Sequence, residues 1–70
     1  MSERLKYLRK EKNISQQELA TILHIKQNTY SQYERGKRQL PIELLIALAR
    51  FYNVSTDFIL GITDNEDPYQ

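Results

Sequence analysis

The sequence contains no cysteine, no tryptophan, one histidine and only two glycines. Without cysteine, it excludes a disulfide scaffold, a thiolate zinc site and a cysteine nucleophile. One histidine cannot build a His-rich metal site. No run approaches the ~20 apolar residues of a membrane-spanning helix, and charges begin at Glu3, so we expect neither a membrane segment nor a signal peptide. These absences favour a small, reduced, cytoplasmic domain that only packing stabilises.

The length and composition suit one domain with one core. A chain of 70 residues buries roughly 60% of its unfolded surface when it folds. Its 40% hydrophobic and 27% charged residues are typical of a globular protein. We expect a domain over residues 1–61 and a short acidic tail over 62–70, in which residues 63–70 fray. Because no nucleophile–base pair or metal-ligand spacing is present, the sequence predicts no enzyme, cofactor, metal or small-molecule site.

Charge is distributed unevenly along the chain. Residues 1–38 contain nine Lys and Arg against four acidic residues, whereas residues 39–70 contain one Arg against five acidic residues. The two parts therefore carry net charges of +5 and −4. The basic part favours an anionic partner, most commonly nucleic acid, although two ordinary solvated faces would give the same pattern.

Capping signals and apolar spacing predict five short helices. Ser15 and Glu18 form a capping box, Gly36 ends the third helix, and Pro41 suits the first position of the fourth. Ser2 is the expected N-cap of the first helix. The fold class is therefore all-α, a compact five-helix bundle. The expected ranges are Ser2 to about Lys12, Gln16 to Leu23, Gln27 to Arg35, Pro41 to about Tyr52, and a last helix capped by Ser55 through Leu60.

The second and third helices carry the functional pattern. Only residues 24–26 join them, and so short a connection favours the steep crossing of a helix-turn-helix. Tyr30 and Tyr33 give the third helix an apolar inner side. Carboxamides and a hydroxyl on the outer side can donate to and accept from base edges, adenine in particular. These outer residues are Gln27, Asn28, Ser31 and Gln32.

Cations lie at both ends of this polar helix. Lys26 precedes it, and Arg35, Lys37 and Arg38 follow it, at a spacing that suits the phosphates flanking a DNA groove. A plain solvated surface would explain the amides alone, but not their combination with a tight turn and flanking cations. The residues therefore favour sequence-specific binding of double-stranded DNA.

The same residues resemble the Cro and phage-repressor (XRE-type) helix-turn-helix family. The similarity extends from about Leu5 to Gly61, some four-fifths of the chain. It implies a lambda-repressor-like domain whose third helix enters the major groove. It also implies a bacterial or phage-encoded, nucleoid-associated repressor that binds a near-palindromic operator as a homodimer. The motifs are SQQELA at 15–20, Leu23, Tyr30, YERGKR at 33–38, Leu48-Ala49, Asn53-Val54-Ser55 and Leu60-Gly61.

The resemblance also implies roles for individual residues. Arg9 and Glu34 resemble a buried ion pair between the first helix and the end of the recognition helix, although two independent surface charges are the alternative. Gln16 resembles a family glutamine that contacts a phosphate and braces the recognition helix. The positions expected to contact bases are Lys26, Gln27, Asn28, Ser31 and Gln32. Those expected to contact phosphates are Ser15, Gln16, Arg35, Lys37 and Arg38.

Two positions depart from the family pattern. His24 stands at the turn where the family commonly has glycine, so we expect a strained, left-handed backbone there. Tyr30 replaces an aliphatic residue. Its ring can fill the core, and we expect its hydroxyl at the rim of the DNA groove.

Surplus apolar residues suggest a dimer contact on the fourth or fifth helix. Scattered surface positions without a partner are the alternative. The candidate dimer residues are Leu44, Phe51, Phe58 and Ile62. A different function class also stays open, namely an antitoxin or interaction module of the same fold that binds a partner protein.

Overall fold

The computed structural model describes residues 1–68, and these form five α-helices and no strand. The all-α prediction is confirmed, and the helix boundaries lie within one residue of those expected. No helix in the described residues is long and apolar enough to cross a lipid bilayer. The helices are α1 (Ser2–Glu11), α2 (Gln16–Leu23), α3 (Gln27–Glu34), α4 (Ile42–Tyr52) and α5 (Thr56–Leu60).

The helix ends follow local side-chain chemistry. The Ser15 hydroxyl accepts the Glu18 backbone N–H at 3.0 Å, and the Glu18 carboxylate accepts the Ser15 N–H at 2.9 Å. The predicted capping box at the start of α2 is therefore confirmed. Asn13 and Asn53 both have φ of 57°, a left-handed conformation that asparagine tolerates better than most residues.

Two predicted helix starts are wrong by one position. Ser2 lies inside α1, whose N-cap is Met1 and carries no side-chain cap. Pro41 is the N-cap of α4, with an extended ψ of 151°, and Ile42 is the first helical residue. The ring of proline fixes φ near the helical value but leaves ψ free, so both positions suit it.

One hydrophobic core lies where the helices meet. α1 packs against α3 and α5, α2 packs against α3, and α4 packs against α5. The first helix therefore supports the third, which carries the predicted recognition surface. The buried core residues are Leu5, Leu8, Leu19, Ala20, Tyr30, Tyr33, Leu40, Leu45, Leu48, Ala49, Tyr52, Val54, Phe58 and Ile59.

The structure corrects part of the predicted dimer face. Phe58 is only 5% exposed and lies beneath the Arg4 guanidinium, 4.2 Å from the ring centroid. It belongs to the core and cannot form a surface contact. Leu44 and Phe51 are half-buried against the same core, whereas Ile62 is 70% exposed.

Residues 62–67, after α5, fold back across α1 and make hydrogen bonds there. The Arg4 guanidinium donates to the Thr63 carbonyl at 3.1 Å and to Asp64 Oδ1 at 2.8 Å, and also to the Phe58 carbonyl of α5 at 3.0 Å. The Ser55 N–H donates to the Glu66 carbonyl at 3.0 Å. Polar groups of α1 and of the residue that caps α5 thus bind this segment, and fraying of the tail stays a prediction. The last two residues of that predicted tail lie outside the described part of the chain.

Candidate nucleic-acid interface

The turn between α2 and α3 is set by a left-handed histidine. His24 has φ of 61° and ψ of 39° and is the C-cap of α2. Its N–H donates to the Thr21 carbonyl at 3.1 Å, and the Ile25 N–H donates to the Ala20 carbonyl at 3.0 Å. These bonds satisfy two of the last four carbonyls of α2, and α3 begins three residues after His24. The expected left-handed backbone is present, and the imidazole is exposed.

The predicted recognition helix, α3, has a buried side and an outer side. Tyr30, Tyr33 and Glu34 are buried, with exposures of 0%, 5% and 3%. The five residues predicted to contact bases all lie outside the core. Lys26, Gln27 and Asn28 are exposed, and Ser31 and Gln32 are half-buried. An amide-bearing surface is therefore presented to solvent by a helix that the core holds on its other side.

The predicted phosphate-binding residues surround this surface. Arg35, Lys37 and Arg38 are exposed directly after α3, and Ser15 is exposed at the N-cap of α2. Gln16, in the first turn of α2, is half-buried and donates from Nε2 to Glu34 at 3.1 Å. A carboxamide nitrogen carries two N–H groups. One N–H of Gln16 can thus brace α3 while the other remains available to a phosphate.

A buried ion pair links α1 to the end of α3. Arg9 Nε lies 2.6 Å from Glu34 Oε2, and Nη2 donates to Oε1 at 3.2 Å. Nη1 of the same guanidinium donates to the Ile14 carbonyl at 2.9 Å. The side chains are 15% and 1% exposed, respectively. The arrangement is bidentate, and burial shields the pair from water. Both features strengthen charged hydrogen bonds.

The electrostatics of Glu34 follow from these neighbours. Burial alone would raise its pKa, but the hydrogen bonds from Arg9 and Gln16 outweigh burial and hold the pKa below its ordinary value. The carboxylate is therefore charged under physiological conditions. Through its two partners it joins α1, α2 and α3 at a single point, which sets the orientation of the recognition helix.

The Tyr30 hydroxyl is buried, contrary to the expectation that it reaches the surface at the rim of a DNA groove. Tyr30 is fully buried, because its position on α3 points into the core. Burial first, and then the nearby Glu34 carboxylate, raise the pKa of this phenol. The hydroxyl lies near Glu34 but outside hydrogen-bond geometry, and it has no partner among residues 1–68.

Comparison with known proteins agrees with this architecture. Residues 5–59 match the model of a helix-turn-helix family. The chain belongs to this helix-turn-helix family. The resemblance expected from the SQQELA and YERGKR motifs is confirmed, and with it the all-α fold class.

Relatives of this helix-turn-helix protein are named as transcriptional regulators. The chain is 41% identical over 66 residues to the uncharacterized HTH-type transcriptional regulator YobD of Bacillus subtilis, covering 94% of this chain and 59% of YobD. It is 41% identical over 61 residues to the regulator ImmR of the same organism, covering 87% and 48%. It is 36% identical over 53 residues to the cryptic phage CTXphi transcriptional repressor RstR of Vibrio cholerae, covering 76% and 48%. The chain spans about half to three-fifths of the length of these relatives.

The structure adds cations to this helix-turn-helix that sequence reasoning missed. Lys6 and Lys10, four residues apart on α1, share a shallow cleft with Arg35 at the end of α3. Met1 and Ser2 line a second cleft together with Lys37 and Arg38. The spacing of the two lysines is visible in the sequence. Their position beside α3 is not, since it depends on how α1 packs.

Proposed function

We propose that this helix-turn-helix domain binds double-stranded DNA sequence-specifically and represses transcription as a homodimer on a near-palindromic operator. The outer side of α3 is the observation that carries this proposal, because it presents amides between Lys26 at one end and Arg35, Lys37 and Arg38 at the other. The names of the relatives support a role in transcription. Such a role would place the protein in the cytoplasm, at the nucleoid.

Two sets of contacts would contribute separately, one to affinity and register and the other to sequence recognition. The cations that follow α3, together with the first turn of α2, would bind phosphates and set the register of the helix. This term is strongly salt-dependent, because each neutralised phosphate releases counterions. The carboxamides of Gln27, Asn28 and Gln32 would read base edges in the major groove, where each base pair presents a distinct pattern of donors and acceptors.

A homodimer follows from the small size of the recognition surface. α3 has eight residues, so one copy can contact few base pairs. Two copies that bind half-sites about 34 Å apart, one turn of DNA, combine both sets of contacts. A two-fold protein then requires a near-palindromic operator.

Selection of bound DNA from a random duplex pool tests this function. We expect enrichment of one short sequence that recurs as an inverted repeat, with half-site centres separated by about one DNA turn or a multiple of it. A single enriched half-site without a repeat would contradict the homodimer on its operator. Absence of any enrichment would contradict sequence-specific binding and favour the alternative, a module that binds a partner protein.

Arg38→Ala tests the assignment of phosphate contacts. We expect weaker binding to selected and random duplexes alike, and a salt dependence of log K whose slope is smaller by about one unit, because one phosphate contact is lost. Fluorescence anisotropy titrations between 50 and 200 mM salt, roughly the range in which such effects are large, measure both quantities. Arg38→Lys is the matched control, since it keeps the charge. If Arg38→Ala leaves the slope unchanged, Arg38 is not a phosphate contact.

A further inference from the structure

A cationic cleft lies beside the end of α3, outside the side of the helix that would read bases. Lys6 and Lys10 of α1 line it together with Arg35, and all three residues are exposed. We call these three residues the α1 cation cleft. None of the five predicted base-contacting residues lines it. Contacts made here are therefore additional to those of the outer side of α3.

Positive charge exceeds negative charge in this cleft. Among the described residues that line it, the carboxylates are Glu3 and Glu34. The Glu34 carboxylate is already bound to Arg9 at 2.6 Å, which leaves Glu3 alone against three cations. The ion pairs found within residues 1–68 join Arg4 to Asp64 and Arg9 to Glu34, so they use none of these cations. The cleft therefore keeps a net positive charge and favours an anionic ligand.

The spacing of the two lysines suits a polymer of phosphates. Lys6 and Lys10 are four residues apart and lie on one side of α1, about 6 Å from each other along the axis at 1.5 Å per residue. Duplex DNA offers such a row a negative charge for every ~1.7 Å of its axis. A site for a small anion would instead be a concave pocket that buries most of its ligand, whereas this cleft is shallow.

The cleft is continuous with the cations that follow α3. Ser2 lines both this cleft and the neighbouring one that contains Lys37 and Arg38. The loop after α3 lies close to the start of α1, since a Cβ atom at Gly36 would be only 3.6 Å from Ser2 Oγ. The predicted phosphate contacts and the two lysines therefore form one band of positive charge, which extends from the end of α3 onto α1.

We infer that the α1 cation cleft binds backbone phosphates of duplex DNA beyond the half-site that α3 would occupy. The inference rests on the proposed function for the identity of its ligand. α3 ends at Glu34 and Arg35 follows directly, so a DNA strand that passes Arg35 next meets Lys6 and Lys10. Phosphate contacts carry no sequence information of their own. These contacts would add affinity and fix the orientation of the domain on DNA.

The double variant Lys6→Ala/Lys10→Ala tests the inference on two duplexes in anisotropy titrations. One ends flush with the selected half-site, and the other extends it by about ten base pairs, one DNA turn, on each side. On the longer duplex we expect about tenfold weaker binding near 100 mM salt, and a slope of log K against log salt that is smaller by about two units, because two phosphate contacts are lost. On the flush duplex, affinity should change by less than about twofold, since screening weakens charges that contact no phosphate.

Two further variants separate the cleft from total charge and from folding. Lys12→Ala/Arg50→Ala removes the same charge elsewhere, because Lys12 lies 5.7 Å from the Phe51 ring centroid and Arg50 is on α4. It should leave the preference for the longer duplex unchanged. Glu3→Gln removes the carboxylate that opposes the cations and should tighten binding of the longer duplex by about two- to fivefold, a gain that unfolding cannot produce. Thermal unfolding should show that every variant is folded.

The outcomes distinguish this inference from the proposed function. An unchanged salt slope in Lys6→Ala/Lys10→Ala overturns the inference, as does an equal loss of affinity on both duplexes, which would place the lysine contacts inside the half-site. The slope can also be measured on random duplexes, so the test does not need a selected sequence. Binding without sequence preference, with a slope that falls in the double variant, would contradict the proposed function alone. Selective binding with an unchanged slope would remove only the α1 cation cleft.

Discussion

Arg9→Ala is expected to lower the free energy of unfolding by about 3–5 kcal/mol, because it leaves a buried carboxylate without its cation. The Glu34 side chain is 1% exposed, so water cannot replace the bidentate guanidinium. The Ile14 carbonyl loses its donor in the same change. A domain of this length has a total stability of roughly 4–10 kcal/mol. The variant should therefore be partly unfolded near room temperature, as measured by urea denaturation followed by circular dichroism.

Two variants show whether the effect arises from the buried charge. Lys10→Ala, at an exposed neighbour on the same helix, should change stability by less than about 0.5 kcal/mol. Arg9→Met/Glu34→Met removes both charges and should recover much of the loss, since an apolar pair can replace a buried ion pair at little cost. If Arg9→Ala changes stability as little as Lys10→Ala does, Arg9 and Glu34 act as independent surface charges.

The destabilisation by Arg9→Ala should also diminish in acid. The pKa of Glu34 lies below its ordinary value of 4.5. Its contribution to stability is therefore present above about pH 4.5 and lost as the pH falls through the lower pKa of the folded state. Once Glu34 is protonated, no uncompensated charge remains for the variant to bury. Urea denaturation at neutral and acidic pH measures this difference.

Gln32→Ala is expected to reduce affinity for the selected duplex by about 1–3 kcal/mol, or roughly 5- to 150-fold, with binding to random duplexes nearly intact. Gln32 is half-buried on the outer side of α3, so its amide is partly positioned before DNA arrives. A carboxamide that bonds one base edge in two places discriminates against the other bases. Anisotropy titrations of both duplexes at one salt concentration measure the effect.

Gln39→Ala provides the matched control for Gln32. Gln39 carries the same side chain, but it is exposed and lies in the loop after α3 rather than on the helix. We expect its removal to leave the ratio of specific to random affinity unchanged. If Gln32→Ala lowers both affinities equally, its amide contributes to phosphate binding or to folding, and base recognition must come from other residues of α3.

Much of the fold was predictable because its signals are local. A capping box uses groups three residues apart, and the left-handed backbone at Asn13 and Asn53 requires only the residue itself. The two sides of α3 follow from a helical period, so burial of Tyr30 and Tyr33 and exposure of Asn28 agree with it. The family resemblance added one long-range contact, the ion pair between Arg9 and Glu34, which lie 25 residues apart in the sequence.

For the predicted dimer face and the predicted tail, the deciding contacts join residues far apart in the chain. The burial of Phe58 depends on Arg4, 54 residues earlier, and nothing in the local pattern of α5 shows that α1 covers it. The same guanidinium holds Asp64, 60 residues away. A tail whose composition predicts fraying is thus hydrogen-bonded to α1, although its side chains remain exposed.

The sequence by itself determined five helices, the turn at His24 and a polar outer side on the third helix, since period, capping and backbone preference act within a few residues. Only the tertiary structure decided which of these surfaces face each other. It placed Lys6 and Lys10 beside Arg35 and removed Phe58 from the surface. It also left Ile42 and Ile46 exposed on α4. Such outcomes depend on how whole helices pack, because the apolar side of a helix is buried only where another element covers it.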